Sequence, residues 1–269
     1  RCDPVEKNRK DALLTYSQVN ISYNGKQTVR NVSFSLTPGE ILGIVGESGS
    51  GKSTLLKAAL GILGPGGAVT GGHIWFQGKS LTDLPEKSMR EIRGNRIGMV
   101  FQDTKASFCP VRTIGSQIYE SLAAHRKVNR REAEELTRET FLKLGFPDPV
   151  RILKSYPFQL SGGMNQRVGI AMAMMQRPAV LLADEPTSAL DVINQRQAVD
   201  EMLDLRRFYG TAIILVTHNI GLVSAMADTV LVLHEGQTEE YGEAEQVLGR
   251  PRAEYTMRLL EAVPKLRRE

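Results

Sequence analysis

Eight residues, Gly46-Glu47-Ser48-Gly49-Ser50-Gly51-Lys52-Ser53, match the pattern GxxxxGK[ST]. Three glycines let backbone N–H groups turn inward around an anion, and Lys52 adds a point charge suited to β- and γ-phosphate oxygens. Ser53 offers a hydroxyl oxygen to Mg2+, and Thr54 follows it into what reads as a helix. Together these types and spacings describe a cradle for a nucleotide polyphosphate, with ATP and Mg2+ as its expected occupants. A second chemical group is Asp184-Glu185, directly after the apolar run Val180–Ala183. An Asp at a strand end can hold Mg2+ through water, and an adjacent Glu can polarise an attacking water.

The pattern is informative only between a strand and a helix, and the flanking residues supply both. The continuous apolar run Ile41–Val45 has the length of a strand buried on both faces, and Lys52–Leu63 has helical patterning. Further apolar runs at Ile97–Phe101, Val180–Ala183 and Ala212–Val216 predict core strands, each ending where a polar residue can reach a ligand. Ahead of them, Val19, Ile21 and Tyr23 alternate with polar residues, Asn24-Gly25 signals a turn, and Val32, Phe34 and Leu36 alternate again, which predicts an antiparallel hairpin. Thr229–His234, Glu235-Gly236 and Gln237–Tyr241 predict another. The stretch 103–161 carries helical patterning with little strand signal and is expected to be an inserted helical subdomain.

Leu160-Ser161-Gly162-Gly163-Met164-Asn165-Gln166-Arg167 stands upstream of Asp184 by little more than a helix length. In this position it resembles the LSGGQ signature of the ABC ATPase superfamily, and the resemblance extends over nearly the whole chain from about residue 13. The implied fold class is α/β: a P-loop NTPase (RecA-like) core with an N-terminal antiparallel β subdomain and an inserted α-helical subdomain. It implies a nucleotide-binding domain over residues 12–249 and a family-specific extension over 250–269. By the same resemblance Gln102 senses Mg2+, Ser188-Ala189-Leu190-Asp191 is the loop that crosses to a partner protomer, His218 contacts the γ-phosphate, and Tyr23 stacks on adenine. Ser161, Gly162 and Gly163 would grip the γ-phosphate of ATP held by a second ATPase subunit, in a head-to-tail homo- or heterodimer. Glu185 would orient the attacking water, with Lys52, Mg2+ and His218 stabilising charge on the transferred group.

Within the superfamily, finer details resemble the oligopeptide, dipeptide and nickel importers. Met164 replaces the usual Gln, Phe101-Gln102-Asp103 with Ser107–Val111 and Thr113-Ile114-Gly115 is similar to that group's FQDPxxSLNPxxTIG segment, and Tyr156-Pro157 fits. So does the tail from Arg250-Pro251 through Tyr255-Thr256 and Leu259-Leu260 to Val263-Pro264. The resemblance then implies two integral membrane permease subunits and, indirectly, an extracytoplasmic substrate-binding protein as partners, at the cytoplasmic face of a bacterial inner membrane. The segment Thr113–Leu122 is expected to line the groove for a short permease helix. Peptide and nickel stay equally open as cargo. Three positions depart from the pattern: Cys109 where Asn is usual, Lys105 near a usual Pro or Met, and Asn219 where Asp is expected.

Bulk properties agree with this picture and exclude others. In 269 residues with 41% hydrophobic content there is enough apolar material for one large α/β domain, yet no run approaches the roughly 18 apolar residues of a membrane span. A peripheral role at the membrane is the expectation. Residues 1–11 read as a loose polar tail, and a start at Arg1 without Met implies a longer or processed native product. Cys2 and Cys109 lie far apart with no CxxC, which argues against a disulfide framework or a zinc site. A net charge of +4, from 34 basic and 30 acidic residues, is too small and dispersed for nucleic acid. The basic groups Arg126-Lys127, Arg130-Arg131 and Lys265, Arg267, Arg268 read as solvated faces. A soluble ABC ATPase of DNA repair or translation would need a long coiled coil or a second cassette, and a P-loop kinase or GTPase would lack the signature. An exporter shares the same engine.

Overall fold

The computed structural model describes residues 12–188 and 190–262. The expected tail 1–11 with Cys2, Ala189 of the crossing loop, and the terminal Val263-Pro264, Lys265, Arg267 and Arg268 lie outside the described residues, as do the side chains at 192–194 and 205. In chain order the elements are β1 (Leu14–Tyr23), β2 (Lys26–Leu36), β3 (Ile41–Val45), α1 (Lys52–Ala59), β4 (Gly67–Phe76), β5 (Lys79–Ser80), α2 (Glu86–Ile92) and β6 (Ile97–Val100). Then come α3 (Thr104–Ser107), α4 (Ile114–Ala123), α5 (Arg130–Lys143), α6 (Pro149–Lys154), a short 3-10 turn (Pro157–Gln159), α7 (Gly162–Met174), β7 (Val180–Asp184) and α8 (Val192–Tyr209). The chain closes with β8 (Ala212–Val216), α9 (Ile220–Met226), β9 (Thr229–His234), β10 (Gln237–Glu243), α10 (Ala244–Gly249) and α11 (Glu254–Glu261). The described residues fall into two compact units, one holding 12–89 with 212–262 and the other lying within 90–211.

The first unit holds two sheets. In the antiparallel one the order is β2-β1-β4-β5. Its β1–β2 hairpin closes as expected at Asn24 and Gly25, whose positive φ values of 48° and 81° suit a two-residue turn. Tyr16 and Phe34 stack in its core with centroids 4.3 Å apart, and the Tyr16 hydroxyl donates to the Leu55 carbonyl of α1 at 2.7 Å. The third strand, β4, pairs with β1 from Leu14↔Phe76 to Tyr23↔Gly67. No expectation covered β4: Gly67, Gly71 and Gly72 interrupt any alternation, and its identity comes from a partner some fifty residues away.

The second sheet of this unit runs β10-β9-β3-β8, with β3 parallel to both β8 and β9. Burial on both faces explains the unbroken apolar runs, since every residue of β3 and β8 is buried. The β9–β10 hairpin turns at Glu235 and Gly236, with φ 44° and 79°. Helix α1 is shorter than the expected 52–63. Gly61 adopts φ 62° and its N–H returns to Ala58 O, so the helix stops at Ala59 and the chain turns toward Leu63.

In the second unit β6 and β7 pair in parallel, from Ile97↔Val180 to Val100↔Ala183. Helices α3 to α6 follow β6, as the helical patterning of 103–161 predicts. Each start carries its own signal: Thr113 caps α4, Asn129 with Glu132 forms a capping box on α5, and Asp148 caps α6 ahead of Pro149. Ile114, Ile118, Leu122, Phe141, Phe146 and Ile152 meet in one apolar cluster, joined by Val168, Ala171 and Met175 from α7 and its end. The signature helix is thereby part of the helical core. Among the described residues no helix is long and apolar enough to cross a membrane.

Candidate nucleotide site

Strand register places the chemistry. In the first unit Ile44 pairs with Val216, so Gly46 and His218 each stand two residues beyond a matched pair at the carboxyl ends of adjacent parallel strands. In the second unit Val100 pairs with Ala183, which gives Gln102 and Glu185 the same relation on β6 and β7. Polar groups at these ends are where an open α/β sheet holds ligands.

The loop from Gly46 to Ser53 is tightly built. Gly46 has φ 151°, and a Cβ there would fall 2.0 Å from the Leu233 carbonyl oxygen. Gly49 and Gly51 also take positive φ, 82° and 101°, and Gly51 caps α1 with only 3.0 Å between an added Cβ and Val29. Only glycine fits this path. Lys52 is 7% exposed, and its Nζ donates to the carbonyls of Gly46 and Glu47, both at 2.7 Å. Ser50 is buried with its Oγ unpartnered inside the loop. Ser53 and Thr54 follow on the first turn of α1, half-buried. This set fits a polyphosphate: an inward-turning backbone, one buried cation and an orphaned hydroxyl.

Tyr23 ends β1 half-buried, and its hydroxyl donates to Leu63 O at 3.0 Å, which ties the hairpin turn to the chain beyond α1. His218 is exposed. The next residue, Asn219, caps α9 by accepting the Leu222 N–H at 3.2 Å. Asn and Asp cap equally well, which gives the departure at Asn219 a local explanation.

In the second unit Asp184 closes β7 at 4% exposure, and Glu185 follows at 8% with φ 47°. A buried carboxylate residue in the left-handed region is a strained arrangement of the kind that collects at working sites. The Glu185 carbonyl accepts from the N–H of Ser188 at 3.3 Å and its hydroxyl at 3.2 Å, which stabilises the turn. Gln102 is exposed, and the following Asp103 caps α3. Asp191 is exposed at the foot of α8, where Gln195 Nε2 reaches back to the carbonyls of Thr187 and Leu190.

Ser161 caps α7 by accepting the Met164 N–H at 3.2 Å, leaving Gly162 open with no heavy atom within 4 Å of an added Cβ. Two supports of this loop escape sequence reasoning. Asn165, fully buried, donates from Nδ2 to the carbonyls of Pro157, Leu160 and Ser161. Arg167, 7% exposed, pairs with Glu201 of α8, donates to Leu144 O and lies 4.4 Å over the Phe146 ring. Burial pushes the Glu201 carboxyl up to about 7, with Arg167 opposing the rise. A polar residue inside the apolar phase of α7 is the only sequence signal for either. Cys109 is half-buried, and its backbone N–H and carbonyl are both held by the Gln117 amide; the neighbouring departure, Lys105, is an exposed residue of α3.

With this geometry in view, a family profile described as "ABC transporter" matches residues 29–188. The oligopeptide transport ATP-binding protein AmiE of Streptococcus pneumoniae is 42% identical over 262 residues, 96% of this chain and 74% of the relative. The chain belongs to the ABC transporter family. The dipeptide transport ATP-binding protein DppD of Bacillus subtilis is 41% identical over 261 residues, covering 95% of this chain and 78% of the relative. Among solved structures, the ATP-binding cassette MJ0796, described as a dimeric post-hydrolysis state bound to ADP and Pi, superposes with TM-score 0.75 at 28% identity, over 86% of this chain and 98% of its own. This ABC protein is accordingly an ATP-binding, ATP-hydrolysing subunit of a transporter, as its signature implies, with the α/β cassette fold.

Proposed function

We propose that this subunit energises the uptake of short peptides through hydrolysis of ATP at a site built from the residues above. The observation that carries the hydrolytic reading is the register of the parallel strands: Gly46 and His218 end one adjacent pair, and Gln102 and Glu185 end the other. Lys52 and the loop N–H groups hold the phosphates, Tyr23 takes the adenine face, and Glu185 accepts a hydrogen bond from the attacking water and aligns it in line with the γ-phosphorus. Lys52 and His218 stabilise the charge that develops on the phosphoryl oxygens. By the family resemblance, Ser53 of the first unit and Gln102 and Asp184 of the second would supply oxygens to Mg2+, which when bound would neutralise charge on the phosphates. Ser161, Gly162 and Gly163 open α7 with exposed N–H groups and serve the ATP of a second ATPase subunit, and Asp191 belongs to the loop that reaches it.

The partners in this reading are that second subunit, two permease subunits and an extracytoplasmic binding protein, with the chain peripheral at the cytoplasmic face of the inner membrane. In α4 the residues Ile114, Gln117, Ile118 and Leu122 are committed to the helical core, so a permease helix would meet the segment's remaining face around Arg112 and Glu120. Peptide is chosen over nickel because relatives at 41–42% identity are named for oligopeptide and dipeptide transport. The test is uptake by cells lacking this chain, complemented with wild type or with Glu185→Gln. Labelled tripeptide uptake restored by wild type alone supports the reading. Restoration of labelled nickel uptake with no effect on peptide overturns the choice of cargo.

A further inference from the structure

Tyr255 lies on α11, outside the residues 29–188 that the family profile covers. Its ring is 8% exposed and stacks on His234 with centroids 3.9 Å apart. Its hydroxyl accepts the backbone N–H of Glu47 at 3.2 Å, in the phosphate loop. The carbonyl of that same Glu47 accepts from Lys52 Nζ at 2.7 Å. Both polar groups of one loop residue are therefore gripped, the N–H by the C-terminal helix and the C=O by the loop's own cation.

The stack on His234 carries the grip further. His234 ends β9 beside the Glu235-Gly236 turn, whose Gly236 N–H donates to Ser50 O at 3.1 Å, and Leu233 O marks the surface that Gly46 must clear. Helix α11 is itself fastened to the same hairpin: the Glu240 carboxylate of β10 accepts the N–H groups of Arg252 at 3.0 Å and Ala253 at 3.1 Å. A closed circuit results, running from the phosphate loop through Tyr255 and α11 to β10 and back through β9. Burial raises the Tyr255 phenol above its ordinary value, so it stays a neutral hydroxyl that can accept the Glu47 N–H.

We propose that Tyr255 is a positioning residue for the phosphate loop, fixing Glu47 and the β9–β10 turn so that the C-terminal helix sets nucleotide affinity. This inference rests on the assignment of residues 46–53 as the phosphate site. A loop held in its binding conformation before the ligand arrives spares the ordering cost at binding, which appears in affinity and leaves the chemical step alone.

The experiment measures Kd for ATP and ADP with a fluorescent analogue, and KM and kcat for hydrolysis, on the full chain as wild type, Tyr255→Phe and Lys52→Ala. Tyr255→Phe keeps the buried ring and removes only the acceptor. Loss of one neutral hydrogen bond predicts Kd and KM raised about three- to tenfold with kcat within about twofold of wild type. The melting temperature should fall by no more than a few degrees, since the ring contacts remain; a purely structural role would lower that temperature and leave the Kd of the folded protein alone. A Tyr255→Phe protein with wild-type Kd, or one impaired in kcat only, overturns the inference. If Lys52→Ala loses affinity while Tyr255→Phe does not, only the role of Tyr255 falls. If Lys52→Ala binds like wild type, the phosphate-site assignment falls with it.

Discussion

The two glycine-rich helix openings of this chain follow opposite designs. At the phosphate loop two glycines are there for want of room, Gly46 against Leu233 O and Gly51 against Val29, and a buried Lys52 closes the ring from within. At the signature the space around Gly162 is open, Ser161 provides its own cap, and the supports stand behind the loop in Asn165 and Arg167. On the proposed reading, the first loop encloses the nucleotide of its own subunit. The other leaves Ser161 and Gly162 exposed at a helix N-terminus, which in the proposed reading serves the ATP of a second subunit.

That contrast can be broken most severely at Gly46. Gly46→Ala requires a residue at φ 151° with its Cβ inside the contact distance of Leu233 O, so we expect a loss of about 3 kcal/mol or more in unfolding free energy, read by urea denaturation, together with loss of ATP binding. A Gly46→Ala protein that binds ATP normally would show that the loop's tightness is not functional.

A smaller effect is expected behind the signature. Because burial holds the Glu201 carboxyl near 7, above its ordinary value, the folded state takes up more protons than the unfolded state between about 4.5 and 7. The stability contributed by this group is fully present below the unfolded value and is lost as pH rises through about 7. Glu201→Gln should remove that slope, so urea midpoints of the variant and wild type should diverge in the variant's favour from pH 5 to pH 8. Parallel midpoints across that range would refute the assignment.

The smallest stability effect belongs to Gly162→Ala, whose Cβ meets nothing and whose place in the first turn of α7 suits Ala at least as well as Gly. Its melting temperature should equal or exceed that of wild type while ATP turnover falls, because in the proposed reading the added methyl would stand where Gly162 serves the nucleotide of a second subunit. Unchanged turnover would place the partner's ATP elsewhere.

What the sequence discloses and what it hides divide along the same physical line. Local pattern exposes β3, β8 and β9 as apolar runs, both hairpin turns through Asn24-Gly25 and Glu235-Gly236, and the helix opened by Ser161. Features made by distant partners stay hidden. Strand β4 exists because β1 pairs with it, Asn165 matters because three carbonyls converge on it, and Tyr255 gains its place from Glu47, over two hundred residues earlier. The expected end of α1 at Leu63 misses Gly61, where φ 62° stops the helix early. The place of Glu185 directly after the β7 strand end is legible from the run Val180–Ala183, and its left-handed backbone is not.

The central claim, that Glu185 turns a bound ATP into a hydrolysed one, is tested most directly by Glu185→Gln. Purified with the proposed permease subunits, the variant should lose turnover by about two orders of magnitude or more while ATP affinity stays within about twofold of wild type, as for removal of a group that orients the nucleophile. Wild-type turnover in Glu185→Gln would contradict the account.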